Sequence, residues 1–88
     1  NLFCVGFSAE SENIIKNAQA KLKNKNLDMI VANSINESMG QNSAEIYIID
    51  KNEVIHIPKK GKEELASNIL QHIYKLENKR GSTHEHIN

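Results

Sequence analysis

Apolar residues occur in separate blocks along the chain, and the spacing within each block predicts its secondary structure. The run LFCVGF (2–7) is continuous and rich in strand formers, which predicts a strand buried on both faces. After Ser8 the spacing becomes helical and predicts a helix that ends near residues 24–26. Its apolar stripe consists of Ile14, Ile15, Ala18 and Leu22.

Polar residues predict where this helix begins. Ser11 is of the type that caps a helix N-terminus with its side-chain oxygen. Glu10 and Glu12 would then lie at the positive end of the helix dipole, where acidic side chains are favourable.

The rest of the chain predicts three more strands and a second amphipathic helix. Residues 27–33 and 44–50 predict strands, and a turn at 51–52 leads to a short hairpin partner that Pro58 closes. Residues 61–80 predict the closing helix. Its apolar stripe consists of Leu65, Ile69, Ile73 and Leu76.

The resulting order, β-α-β-β-β-α, predicts an α/β fold. Apolar strands joined by a helix favour a parallel, right-handed crossover covered on both faces. We therefore predict the C-terminal portion of a Rossmann-like three-layer open sheet, with the other half upstream. We expect residues 1–80 to belong to this domain, with a polar loop at 34–43, and residues 81–88 to form a disordered polar tail.

Composition narrows the class of protein. The chain has 88 residues, enough for one small domain, and its 11 basic and 11 acidic residues argue against a nucleic-acid binder that works by bulk charge. No apolar stretch approaches the ~20 residues of a membrane span. The single cysteine, Cys4, favours a reducing, cytoplasmic setting. We predict that Cys4 is a small buried hydrophobe, with a reactive thiol as the alternative.

Ligands of open α/β sheets bind beyond the carboxyl ends of the strands, here residues 6–8 and 32–34. Gly6 would let a backbone or a ligand approach closely. Phe7 is either a core aromatic or a ring that leaves the strand and lies flat against a planar group. The chain has neither a GxGxxG motif nor a Walker loop, so a nucleotide would bind without either fingerprint.

Two lysines of the first helix are the most informative candidates. Lys21 and Lys25 are four residues apart and fall about 20° either side of Ile14 on a helical wheel, whereas Lys16 and Lys23 fall near ~180–200°. Two like charges at the edge of the apolar stripe favour a negative partner, and a phosphate is the natural candidate. The alternative is that their stems cover apolar surface while the ammonium groups reach water.

The histidines offer less. His84 and His86 lie in the predicted tail and can scavenge a metal, but a functional metal site is not predicted. His56 and His72 are predicted to be partly exposed. The order of residues supports no Ser/His/Asp or Cys/His constellation, and no catalytic residue is assigned.

A set of short motifs, spread over residues 5–33, resembles the C-terminal part of bacterial phosphopantothenate–cysteine ligase. That enzyme is commonly the second half of a bifunctional protein in which a flavin-dependent phosphopantothenoylcysteine decarboxylase precedes the ligase. The resemblance covers roughly residues 3–76. The residues that carry it are Val5-Gly6-Phe7, Ala9-Glu10-Ser11, Ala18 with Lys21 and Lys25, then Asp28, Ile30, Ala32 and Asn33.

The resemblance implies a reaction in coenzyme A biosynthesis. The family's ligase activates 4′-phosphopantothenate with CTP to an acyl-cytidylate and pyrophosphate, and the amine of cysteine then displaces CMP. Phe7, Lys21 and Lys25 would contact the nucleotide, with the ring beside base or ribose and the lysines at the phosphates. Mg²⁺ would accompany CTP, FMN would belong only to a fused upstream decarboxylase, and the full-length protein would form a homodimer.

Two departures leave alternatives open. Residues 41–44 (QNSA) lack the Phe and Asp of the family's loop. The family's Gly-rich turn and lysine-rich loop would lie upstream, so we expect this chain alone to be inactive. The alternatives are a non-catalytic nucleotide- or anion-binding α/β module and a scaffold that completes a sheet and a dimer.

Overall fold

The computed structural model describes residues 2–35 and 42–81. Residues 36–41 of the polar loop predicted at 34–43 lie outside the described residues, as do residues 82–88 of the predicted tail, with His84 and His86. The predicted order β-α-β-β-β-α is confirmed. The elements are β1 (Val5–Glu10), α1 (Ile14–Asn24), β2 (Met29–Ser34), β3 (Ser43–Ile49), β4 (Val54–Gly61) and α2 (Lys62–Gly81).

The four strands form one sheet in the order β1-β2-β3-β4. β1 and β2 run parallel, from the pair Val5 and Met29 to the pair Glu10 and Ser34. β3 is antiparallel to β2, and β4 pairs antiparallel with β3 as its hairpin partner. The parallel crossover and the hairpin are therefore confirmed. β3 runs in the opposite direction to β1 and β2. Its C-terminal end, next to Asp50, therefore lies at the opposite end of the strands from Glu10.

Alternate residues of β2 pack on the two faces of the sheet and build a separate core on each. Ile30 and Ala32 join the buried face of α1, whereas Met29 and Val31 pack with Leu65 of α2. The apolar stripes predicted for both helices are the residues that make these contacts. The molecule has the predicted three layers, with α1 on one face and α2 on the other.

The first strand begins later than predicted, and its start is exposed. Leu2 and Cys4 are exposed, so the prediction that Cys4 is buried is wrong. The reason lies in the pairing of the strand: among the described strands β1 pairs with β2 alone, and the parallel ladder starts at Val5. The backbone N–H of Cys4 donates to Asp28 Oδ2 at 2.7 Å and anchors this end.

The first strand also continues further, which moves the start of α1. The ladder with β2 extends to Glu10, so Glu10 is a strand residue and the prediction that Ser11 caps the helix is wrong. The helix is preceded by Asn13, whose φ of 48° is in the left-handed region that asparagine tolerates. The first turn of α1, all within the described residues, contains no acidic side chain.

The fourth strand does not end at Pro58 but runs on to Gly61. Proline is tolerated there because β4 lies at the sheet edge of the described chain, where its missing N–H interrupts no ladder. α2 ends at Gly81, the first residue of the stretch predicted as a tail. Among the described residues, neither helix combines the length and apolarity that crossing a membrane requires.

Candidate functional site

Phe7 lies in the middle of β1, and the residue is 72% exposed. It is therefore not a core aromatic. It does not leave the strand either, because β1 continues to Glu10, so the ring is exposed from within the strand. Successive strand residues point to opposite faces. The register partner of Phe7 is Val31, which packs in the core on the α2 side, so the ring lies on that face of the sheet.

On the opposite face, the ammonium group of Lys21 contacts two side chains of β1. Lys21 Nζ donates to Glu10 Oε2 at 2.7 Å and approaches Ser8 Oγ at 3.4 Å. The Ser8 hydroxyl in turn donates to the same carboxylate oxygen. Ser8 and Glu10 are two residues apart in a strand, which places both side chains on the face that α1 covers. The strand and the helix thus meet in a three-residue polar cluster.

The two ends of this ion pair differ in exposure. The Glu10 side chain is 10% exposed and the Lys21 side chain 45%. The Lys21 ammonium and, next, the Ser8 hydroxyl hold the pKa of the Glu10 carboxyl below its ordinary value of 4.5. The carboxylate is therefore charged at neutral pH and is a negative partner of Lys21 within the chain. The sequence had indicated only a phosphate or water as the partner of this ammonium.

Lys25 lies one turn beyond Lys21, at the C-terminal cap of α1. Its backbone N–H donates to the carbonyl of Lys21 at 3.0 Å, which continues the helical hydrogen-bond pattern. The residue is exposed. The two lysines therefore follow each other along the helix, but Lys21 alone is held by the Glu10 and Ser8 side chains.

The structure does not bring Phe7 and the lysines into contact, because β1 lies between them. Phe7 projects on the α2 side, whereas Lys21 reaches β1 from the α1 side. Among the described strands, β1 pairs with β2 alone. A single ligand that touches both the ring and the ammonium would have to extend around β1 near its carboxyl end. A separation on opposite faces was not apparent from the sequence.

Gly6 makes room for a neighbouring side chain. A Cβ placed on Gly6 would lie 2.6 Å from Leu27 Cδ1, a distance that atoms in proteins do not tolerate. The close approach that the glycine permits is made by the Leu27 side chain, on the face where a Cβ would lie. The glycine makes room for Leu27, which packs on the α1-side core.

A second polar cluster, missed by sequence reasoning, lies at the other end of the sheet. His72 Nε2 of α2 is 2.8 Å from Asp50 Oδ2, and both side chains are buried. The other oxygen of Asp50 accepts from the backbone N–H groups of Asn52 and Glu53. The prediction that His72 is partly exposed is wrong. His72 follows Leu65 by seven residues, which is about two helical turns, so both side chains lie on the buried face of α2. A helical wheel of this segment could have predicted the burial of His72.

Burial of Asp50 opposes its ionisation, but its hydrogen bonds outweigh this. His72 first, and then the two backbone N–H groups of the turn, leave the pKa of Asp50 below its ordinary value of 3.8. Potential metal-ligating atoms of Asp50, Glu53 and His72 lie within 4.8 Å of one another. However, Asp50 and His72 already bond each other, and the Lys75 ammonium lies 3.2 Å from Glu53. The arrangement is that of a hydrogen-bonded brace between the hairpin turn and α2.

Comparison with known proteins identifies a matching family model and several related sequences. A family model described as the DNA/pantothenate metabolism flavoprotein C-terminal domain matches residues 1–76. The coenzyme A biosynthesis bifunctional protein CoaBC of Borreliella burgdorferi is 41% identical over 75 residues, which are 84% of this chain and 19% of that protein. A cysteine/cysteine sulfinic acid decarboxylase from an unknown prokaryotic organism is 42% identical over 80 residues, 86% of this chain and 22% of its own length.

Solved structures agree on the fold. A crystal structure of the C-terminal domain of a coenzyme A biosynthesis bifunctional protein CoaBC superposes with a TM-score of 0.66 at 37% identity, covering 78% of this chain and 32% of that one. A DNA/pantothenate metabolism flavoprotein from Streptococcus pneumoniae gives a TM-score of 0.69 at 21% identity, covering 82% and 33%, and shows the fold alone. The chain spans about a fifth of the length of the curated relatives it matches.

Proposed function

This chain belongs to the family of DNA/pantothenate metabolism flavoprotein C-terminal domains, and from that membership we propose that it is the C-terminal part of a CTP-dependent phosphopantothenate–cysteine ligase. The resemblance drawn from its motifs is confirmed by the identity to CoaBC proteins. The full-length protein would convert 4′-phosphopantothenate, CTP and cysteine to 4′-phosphopantothenoylcysteine through an acyl-cytidylate. Pyrophosphate leaves in the first step and CMP in the second. This chain would contribute nucleotide-binding residues.

The observation that supports this proposal most is the exposure of Phe7. An aromatic residue in the middle of a strand, 72% exposed, is costly to hydrate. The ring offers a flat apolar face to a planar ligand such as the cytosine base or to its ribose. It lies three residues before the carboxyl end of β1, the region where open α/β sheets bind their ligands.

Lys21 and Lys25 supply the charge that a nucleotide requires. Their ammonium groups would meet the phosphates and neutralise charge that develops there as pyrophosphate leaves. Mg²⁺ would arrive with the triphosphate, since the nearby carboxylate, Glu10, already accepts from Lys21 and Ser8. The nucleotide would have its base on the α2 side of β1 and its phosphates on the α1 side.

Three expectations concern the full-length protein and remain proposals. These are a homodimer, a cytoplasmic location and an FMN that belongs to a fused upstream decarboxylase. The present chain is proposed to be inactive alone, because the Gly-rich turn and the lysine-rich loop of the ligase are expected upstream.

The test is CTP-dependent release of pyrophosphate by the full-length protein in the presence of phosphopantothenate and cysteine. Lys21→Ala and Lys25→Ala should each raise the KM for CTP about tenfold, the order of one lost charge-assisted hydrogen bond, and leave the KM for cysteine unchanged. Lys23→Ala is the matched control, because Lys23 is an exposed lysine of the same helix turn. Equal losses for CTP and cysteine would indicate a folding defect and contradict the assignment.

The ring has a matched control of its own. Tyr74 is an aromatic on α2 with an exposure of 69%, close to that of Phe7. Phe7→Ala should raise the KM for CTP, whereas Tyr74→Ala should not. An unchanged KM for CTP in Phe7→Ala would mean that another part of the protein, and not the nucleotide, covers the ring.

A non-catalytic nucleotide-binding module is the second candidate. It is favoured by Ala44, a residue of β3 that stands where the family's pattern has an aspartate and that packs, partly buried, against the α2-side core. An alanine side chain offers no polar contact to a substrate. In this case CTP would bind in a Lys21-dependent manner, but no pyrophosphate would be released.

A further inference from the structure

The Lys21 ammonium is held by β1 rather than left to sample solvent. It donates to Glu10 Oε2 at 2.7 Å and lies 3.4 Å from Ser8 Oγ, and both partners are buried while Lys21 is not. A free lysine side chain populates many rotamers and loses that freedom when it binds a ligand. Here the contacts with Glu10 and Ser8 restrict the ammonium before any ligand arrives.

The geometry leaves the ammonium able to bind one more acceptor. An ammonium group has three N–H donors, and Glu10 and Ser8 engage two of them. The Lys21 side chain remains 45% exposed, so the third donor has access to the outside. Lys21 and Ser8 lower the pKa of the Glu10 carboxyl below its ordinary value of 4.5. The carboxyl is therefore ionised at neutral pH.

We infer that Glu10 is a positioning residue, which holds the Lys21 ammonium in place for a phosphate group of the bound nucleotide. This inference rests on the proposed role of Lys21 and adds a residue that does not itself touch the ligand. Protein kinases use the same physical arrangement, in which the lysine that contacts ATP must be ion-paired with a glutamate. The buried hydroxyl of Ser8 fixes the carboxylate in turn.

Glu10 also carries a negative charge, which by itself would repel a phosphate. Positioning and repulsion predict changes of opposite sign when the charge is removed. If positioning dominates, Glu10→Gln weakens nucleotide binding, and if repulsion dominates, it tightens binding. We expect positioning to dominate, because the carboxylate charge is directly compensated by the ammonium it contacts and is largely shielded from the outside.

The experiment is calorimetric titration of the full-length protein with CTP and, separately, with cytidine, which has no phosphate. Glu10→Gln should weaken CTP binding about tenfold, the order of one charge-assisted hydrogen bond, and leave cytidine binding unchanged. Glu12→Gln is the matched control, since Glu12 is an exposed acid two residues further along. Glu10→Asp, which keeps the charge, should restore part of the loss.

A double-mutant cycle separates positioning from a structural role. Glu10→Gln added to Lys21→Ala should cause no further loss of CTP affinity, because the residue acts through the lysine. Unchanged or tighter CTP binding in Glu10→Gln would overturn the inference. An equal loss of CTP and cytidine affinity would also overturn it, since a general distortion does not distinguish the two ligands.

The two proposals fail in different ways. If the wild-type protein does not bind CTP, or if Lys21→Ala binds it normally, the nucleotide site itself is wrong and the role of Glu10 is wrong with it. If Lys21→Ala weakens CTP binding but Glu10→Gln does not, the nucleotide site stands and only the positioning role is lost.

Discussion

Among the residues that the structure describes, the two buried carboxylates are Glu10 and Asp50. They lie at opposite ends of the sheet and on opposite faces, and they are paired in different ways. Asp50 pairs with His72, and the two side chains are 3% and 5% exposed. Glu10 pairs with Lys21, whose side chain remains 45% exposed. The first pair is closed to the outside, whereas the second presents a cation to it.

The closed pair acts as a brace, whereas the open pair leaves an ammonium accessible, as the nucleotide-binding role that we propose for Lys21 requires. Both oxygens of Asp50 are engaged, one by His72 and the other by the hairpin turn, so the pair has little capacity for a ligand. The Lys21 ammonium has a donor to spare and a partner that keeps it in place. Similar chemistry therefore stabilises the fold at one end of the sheet and is available for function at the other.

The largest effect on stability is expected from breaking the closed pair. His72→Ala leaves the buried Asp50 charge without its side-chain partner, and losing one partner of a buried pair costs roughly 3–5 kcal/mol of unfolding free energy. Urea unfolding of the full-length protein measures the loss, and hydrogen exchange locates it in the hairpin and α2. Gln71→Ala, on the exposed side of the same turn of α2, is the control. Equal losses for both variants would show that the pair is not a brace.

Replacing the lysine of the open pair should reduce stability less. Lys21→Ala removes the ammonium from Glu10, but the carboxylate keeps the Ser8 hydroxyl and water can enter the space left by the half-exposed side chain. We expect a smaller loss of unfolding free energy than in His72→Ala, together with the change in CTP binding given above. A loss of stability as large as that of His72→Ala would mean that the Glu10–Lys21 pair stabilises the fold as much as the Asp50–His72 pair does.

Acid should weaken both pairs. A carboxyl whose pKa is lower in the folded than in the unfolded protein contributes stability above its unfolded value and loses that contribution as the pH falls through its folded value. Asp50 and Glu10 both have lowered pKa values, so stability should fall as the pH drops below about 4.5 and on through 3.8, the ordinary values of the two groups.

The acid transition also sharpens the comparison. His72→Ala should reduce the part of the unfolding free energy that is lost in acid, because without its strongest pKa-lowering contact the folded-state pKa of Asp50 moves back toward its unfolded value. Urea unfolding at a series of pH values measures the unfolding free energy of the wild type and of the variant. The same loss of unfolding free energy in acid for both proteins would contradict this account of Asp50.

The smallest effect is expected at the surface pair next to the brace. Lys75 Nζ and Glu53 Oε2 are 3.2 Å apart, but both side chains are about half exposed. Exposed ion pairs contribute about 0–1 kcal/mol, so Lys75→Ala should change the unfolding free energy little. Urea unfolding beside His72→Ala gives the comparison. A loss above ~2 kcal/mol would show that Lys75 belongs to the brace.

The sequence predicted the elements and their order because the signals for them are local. The stripe of α1 and the unbroken apolar run of β2 need no information from elsewhere in the chain. The alternating contacts of β2 with both helices follow from the same run. These features sufficed to predict the three-layer α/β fold.

The polar clusters required long-range information. Residues 8–10 are small or polar and read as the start of a helix, but pairing with β2 extends β1 to Glu10 and turns Glu10 toward Lys21. Asp50 and His72 are far apart in the chain, and only the packing of α2 on the sheet brings them together. The helical position of Lys21 and Lys25 was enough to single them out, but it did not show that Glu10 is the partner of Lys21.

The most direct test of the nucleotide site is a structure of the full-length protein with bound CTP. The account predicts that the Lys21 ammonium lies ~2.7–2.9 Å from a phosphate oxygen, with Glu10 still bonded to it and the Phe7 ring covered by the base or ribose. A nucleotide bound elsewhere, with Lys21 and Phe7 both left in water, would contradict it.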